Sequence, residues 1–201
     1  MKITIILLFL VQFSVFSQND EQVIKNLNSY ADSVENLIKN TTGAPGEVYS
    51  ISINTIRNVR AIGVQETKIT YFFFQKDDSV YEDSDGTAYF VPRYNPPLMV
   101  MVEYNIANSQ SVVARDYING ENNLYNIIPT GAYGNSNRSF WFGKNDLKKF
   151  EERSARDEMG VIIESGKFSK TIYSESINIL DRFKDYQKLY YDIFNLEYKD
   201  K

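Results

Sequence analysis

The chain has 201 residues, a formal charge of −4, and neither cysteine nor histidine. Those two absences exclude a thiol nucleophile, a Ser-His-Asp triad, imidazole or thiolate metal sites, an axial haem histidine and any disulfide. At 43% hydrophobic and 24% charged residues the composition is that of a globular protein, and the mildly acidic balance gives no general attraction to nucleic acid.

In chain order, residues 1–17 read as a signal peptide. Lys2 is the basic start, Ile3 to Phe16 is almost wholly apolar, and Val15 and Ser17 are small enough for a cleavage site before Gln18. The apolar run falls short of the ~20 residues that span a bilayer. The expected location is periplasmic or secreted, with residues 18–201 as a single domain, no lipid-modified cysteine and no transmembrane segment after cleavage. Residues 20–39 follow as an amphipathic helix. Val23, Ile24, Leu27, Tyr30, Ala31, Val34, Leu37 and Ile38 recur at helical spacing, and Asn19 or Asp20 is the expected cap.

From Val48 the period changes to two. Tyr49, Ile51 and Ile53 alternate with polar residues; Ile69 to Phe74 is apolar on both faces, as a central strand should be. Ser79–Glu82 and Thr87–Val91 flank the turn Asp83-Ser84-Asp85-Gly86, and a stiff proline loop spans Pro92 to Pro97. Leu98 to Ile106 alternates most cleanly. Two hairpins follow, one turning at Asn119-Gly120 and one at Gly143-Lys144-Asn145-Asp146, separated by a glycine-containing loop over 129–137. Residues 152–169 read as charged and irregular. A last helix runs from about Tyr173 to Leu196, with Ile177, Leu180, Phe183, Tyr186, Leu189 or Tyr190, and Ile193 or Phe194 as its stripe. The expected fold is α+β: a seven- to eight-stranded antiparallel meander flanked by an N-terminal and a C-terminal helix. Both helices are expected on one sheet face, which leaves the other bare.

Without thiol or imidazole, carboxylates, hydroxyls, lysines and aromatic rings remain; a Ser-Lys dyad is formally available, but no Ser-x-x-Lys occurs. The acidic run Asp77, Asp78, Glu82, Asp83, Asp85 resembles part of an EF-hand loop. With Gly86 at the sixth position, however, Tyr81 and Pro92 occupy the first and twelfth, where carboxylates belong. A solvated turn is the ordinary reading, and an irregular ion site is the alternative. Glu103 and Asp116 lie on neighbouring strands and are the carboxylate pair to test for a glycan hydrolase. Of 15 Tyr, 13 Phe and one Trp, the rings placed outside the obvious core are Tyr94, beside Arg93 in the proline loop, and Tyr133 in the glycine loop; Trp141 has no assignable face. Arg93, Tyr94, Tyr133 and Trp141 are therefore the candidate binding residues. No cofactor or metal is implied. Asn40-Thr41-Thr42, Asn137-Arg138-Ser139, Asp32-Ser33-Val34 and Asp78-Ser79-Val80 match short glycosylation acceptors, each short enough to arise by chance.

Three stretches carry a resemblance: Glu103 to Ser109, Arg115 to Gly120 leading to Leu124, and Ser139 to Lys148. With a helix before and after the sheet, they resemble small exported bacterial α+β proteins of unknown function. The resemblance implies the architecture and export, and no activity or site. Ile118-Asn119 stands where those proteins more usually have Phe-Asp, with a longer turn. The resulting expectation is an exported binding or interaction domain that offers a sheet face and loops to a protein or glycan partner. The alternatives are a periplasmic inhibitor or immunity-type protein and a carboxylate-dependent glycan hydrolase.

Overall fold

The structure, a computed structural model, describes residues 2–40, 48–60, 63–82, 84–86, 88–106, 112–120, 123–129, 137–153 and 161–194. At 2–19, 59, 75–82, 88–94, 105, 106, 112 and 129 it describes the backbone only. Helix α1 (Lys2–Asn40) is followed by strands β1 (Tyr49–Val59), β2 (Gly63–Phe73), β3 (Gln75–Glu82), β4 (Ala88–Tyr94), β5 (Met99–Ile106), β6 (Val112–Ile118), β7 (Leu124–Pro129), β8 (Asn137–Gly143), β9 (Asp146–Arg153) and β10 (Val161–Ser165), and then helix α2 (Lys170–Ile193).

Eight strands form one antiparallel meander in the order β1-β2-β5-β6-β7-β8-β9-β10, and β3 and β4 pair only with each other. The β3–β4 hairpin thus leaves the meander between two strands that are neighbours in it. Its base is closed by Asn95 N–H donating to Phe74 O at 3.0 Å, and Leu98 N–H donates to Phe72 O at 2.8 Å. Pro92, Arg93 and Tyr94 belong to β4, so the expected proline loop shrinks to the stretch from Asn95 to Leu98.

The strand register divides the sheet into two faces. Phe72, Met99, Tyr117, Tyr125, Trp141, Lys149 and Ser165 form one transverse row, each opposite the next. Val100, Asp116, Asn126, Phe140, Phe150 and Glu164 form the neighbouring row on the other face, because adjacent strand residues point to opposite sides. Ala31 and Val34 of α1 pack with Met99 and Tyr117. Ile172, Ile179, Phe183 and Tyr190 of α2 pack with Tyr71, Val100, Phe140 and Phe150. The helices therefore cover opposite faces, correcting the expectation of two helices on one face. A sheet apolar on both sides, with Tyr71 and Phe140 on one and Met99 and Trp141 on the other, needs a cover on each.

Three smaller corrections follow from packing. The helix over 20–39 has no cap at Asn19 or Asp20, since α1 runs through both; Asp20 instead pairs with Lys148 at 3.4 Å. α2 starts at Lys170, capped by Ser169, whose Oγ accepts from Ile172 N–H. Its buried stripe is Ile172, Ser176, Ile179, Phe183 and Tyr190, and Ile177 is 44% exposed. α1 crosses the sheet closely at Gly143, where a Cβ would stand 3.0 Å from Val23 Cγ1.

Candidate functional site

With both faces covered, what stays accessible is at the margins of the sheet. One of these margins carries an open cleft of about 460 Å³, where α1 overhangs the last two strands. Glu21, Ile24, Lys25, Asn28, Ser29 and Asp32 line it from the helix, Lys149 from β9, and Ile163 and Ser165 from β10. The helix contributes successive turns of one flank, since residues three and four apart share a side. The strands contribute alternate residues, because Lys149 pairs with Ser165, and Glu151 with Ile163.

The floor beside the cleft is rigid. Trp141 is 4% exposed, stacks on Tyr125 at 4.7 Å between centroids, and donates its indole N–H to Asn28 Oδ1 at 2.8 Å. Tyr125 stacks in turn on Tyr117, whose hydroxyl donates to Glu35 at 2.6 Å. Lys149 Nζ sits 4.5 Å from the Trp141 ring centroid and 2.6 Å from Glu151 Oε2, and Arg153 bonds the other oxygen of Glu151. Burial pushes the Glu151 carboxyl upward, but the hydrogen bonds and charges of Lys149 and Arg153 outweigh it and hold it below the usual range. Glu151 is thus a fixed anion, unable to serve as a proton donor near neutral pH.

The outer wall is β10, a terminal strand of the sheet. Val161, Ile162 and Ile163 are 49%, 54% and 57% exposed, three consecutive aliphatic residues on a strand that, among the described residues, is paired along one side only. Such an edge carries unpaired backbone donors and acceptors ready for another strand. Its sequence signal was present as Val161-Ile162-Ile163, but the charged surroundings and lack of alternation disguised it.

The structure separates the residues singled out from sequence. Trp141 is in the core under α1. Arg93 and Tyr94 lie on β4, opposite Lys76 and Gln75, with side chains outside the described residues. Tyr133 also lies outside them, as do the side chains of Asp77, Asp78, Glu82 and Asp83 in the acidic run; Asp85 is exposed at the turn. Among the described residues no group of three or more potential metal-ligating side chains occurs.

Glu103 and Asp116 do not form a pair. Glu103 stands opposite Val113 and Asp116 opposite Val100, which places the two carboxylates on opposite faces of the sheet. Glu103 pairs with Lys68 at 3.3 Å. Asp116 has no exposed surface; it accepts from Asn126 Nδ2 and lies 3.7 Å from Arg182 Nη2 of α2. Burial raises its carboxyl, and Arg182 and Asn126 pull it only part of the way back. In the cleft itself Glu21 and Asp32 are eleven residues apart on one helix, roughly 16 Å along the axis. Paired glycosidase carboxylates stand ~5–9.5 Å apart.

Comparison with protein-family models, curated proteins and solved structures finds no match for this chain. Among the described residues no helix is long and apolar enough to cross a membrane.

Proposed function

We propose that the protein is an exported binding domain that takes an extended segment of a protein partner along β10, with alternate side chains of that segment entering the cleft under α1. The observation that carries this reading is the row of exposed aliphatic residues on a free sheet edge, directly beside a concave surface. Edge addition supplies affinity through backbone hydrogen bonds and specificity through pockets for every second side chain. Val161 and Ile163 point to the cleft side and Ile162 to the other, so the partner segment would carry apolar residues at alternate positions. Glu21, Lys25 and Asp32 at the rim would select polar neighbours.

Export rests on residues 1–17, whose basic start, apolar run and small residues at 15 and 17 have the form of a cleavable leader. A partner with sugar chemistry has less support. Trp141, Tyr125 and Tyr117, the stacked rings nearest the cleft, are covered by α1 and offer no stacking platform. The hydrolase alternative has less support as well. Among the described residues, the carboxyl held high, Asp116, is sealed beneath α2, Glu21 and Asp32 of the cleft stand too far apart to act as a pair, and Glu151 is fixed as an anion.

The test uses the exported protein, immobilised and screened against a library of extended peptides. Ile163→Lys should weaken binding about tenfold or more, since it places a charge where an apolar side chain would be buried. Tyr173→Lys, on the exposed flank of α2, should leave binding intact. Saccharide release by the protein alone, or binding indifferent to Ile163→Lys, overturns the reading.

A further inference from the structure

The opposite margin of the sheet is a different kind of edge. β1 is eleven residues long and pairs with β2 without interruption, from Tyr49 opposite Phe73 to Val59 opposite Gly63. It is the terminal strand, so among the described residues its outer side has no strand partner. Free edges in folded proteins are usually shielded by proline, a bulge, inward-pointing charge or brevity. β1 has none of these: its register is unbroken, it contains no proline, and Arg57 is its single charge.

We infer that β1 pairs with β1 of a second copy of this chain, antiparallel about a two-fold axis, joining the two eight-stranded sheets into one. A two-fold axis normal to the sheet makes the pairing antiparallel and keeps the α2 side of both copies on the same surface, so like faces continue across the junction. The sequence is self-complementary in the register centred on Ile53. That register sets Ile53 against its own copy, Ile51 against Thr55, Ser52 against Asn54, and Arg57 against the exposed ring of Tyr49. The strand's lone charge then meets an aromatic face in place of another charge. Ile51 and Ile53, which are only half-covered at the rim of the α2-side core, gain the neighbours that the open edge denies them. A strand of a different protein could use the same backbone groups, but the charge-to-ring match between Arg57 and Tyr49 is supplied by β1 itself.

The absence of cysteine makes the test clean. Paired antiparallel residues stand ~4.5–5.5 Å apart at Cα, inside the ~4.4–6.8 Å range a disulfide accepts. The exported protein should sediment as a dimer. Under mild oxidation Ile53→Cys should cross-link to dimer, and Ile163→Cys, on the other edge, should not. Asn54→Lys, at an exposed position near the axis, should weaken dimerisation roughly tenfold by placing like charges diagonally across the junction, with its far-UV circular dichroism unchanged. A parent protein that sediments as a monomer overturns the inference. So does a dimer that is insensitive to Asn54→Lys and cross-links through position 163.

Discussion

Asp116 sits with no accessible surface between the sheet and α2, and its Oδ2 accepts no hydrogen bond from the described residues. The nearby Arg182 guanidinium, a quarter exposed, is what makes a buried carboxylate tolerable there. A carboxyl whose pKa is higher in the folded than in the unfolded chain binds protons on folding. Its cost is therefore present in full above the folded pKa and relieved as pH falls below the unfolded value. Removing the guanidinium with Arg182→Met leaves the charge alone, at about 3 kcal/mol near pH 7. That loss should shrink as the pH falls and Asp116 protonates. Urea unfolding of parent and variant at two pH values checks the sign. Glu151 has the opposite linkage, because Lys149 and Arg153 hold its pKa below the unfolded value; its contribution is present above about pH 4.3 and disappears as the folded pKa is crossed downward. Glu151→Gln should cost about 1 kcal/mol at neutral pH, discounted because Arg153 is mostly exposed, and progressively less as the pH falls through the folded pKa, by the same measurement. Neither role was legible in sequence. Which face Asp116 occupies relative to Glu103 depends on a register offset of one residue, and a shift of one residue moves every side chain to the other side.

At the scale of elements, the turn joining β8 to β9 is strained in a correctable way. Lys144 and Asn145 have φ of +54° and +64°, the left-handed pair that a two-residue hairpin of this kind demands. Asparagine accepts that conformation more readily than lysine, and glycine best of all. Lys144→Asn with Asn145→Gly should raise stability by ~0.5–1 kcal/mol, read as a higher denaturation midpoint with the slope unchanged. This hairpin and the one at Asn119-Gly120 were visible in the sequence because turn chemistry is local. So was β5, where a half-covered strand alternates visibly. β10 was not, since Val161, Ile162 and Ile163 are all exposed on an edge and impose no period on the residue types. The far halves of β1 and β2 were missed for a related reason. Asn54 to Asn58 and Gly63 to Glu66 are exposed apart from the half-buried Gln65, so neither face selects apolar residues. In α2, Ile177 looked like part of the stripe, but Ser176 occupies the buried position, and its hydroxyl is satisfied by Tyr173 O at 2.7 Å. Spacing identifies a stripe more securely than its centre.

At the scale of the molecule, each helix has one buried stripe and the sheet has two apolar faces, so one helix per face follows only when the whole sheet is considered. The α2 side has a polar seam through its core: Arg138 to Glu175 at 2.6 Å, Asp116 near Arg182, Tyr104 hydroxyl with Tyr186 hydroxyl at 3.3 Å, and Tyr190 donating to Asn95 O at 2.6 Å. That last bond fixes the base of the β3–β4 hairpin, and Asn95 N–H to Phe74 O closes the same base from the sheet side. Among the described residues, the hairpin beyond this clasp pairs with no other strand. Replacing residues 75–94 by a short glycine-containing turn should therefore leave the eight-stranded sheet folded, with a melting temperature within a few degrees of the parent, because β2 and β5 pair directly with each other on either side of the hairpin. The same deletion divides the two routes to a partner. Arg93 and Tyr94 leave with the hairpin, whereas the cleft and β10 stay. A deletion variant that folds and keeps its peptide affinity places recognition at β10. One that folds and loses it transfers recognition to the hairpin and removes the basis for assigning the cleft.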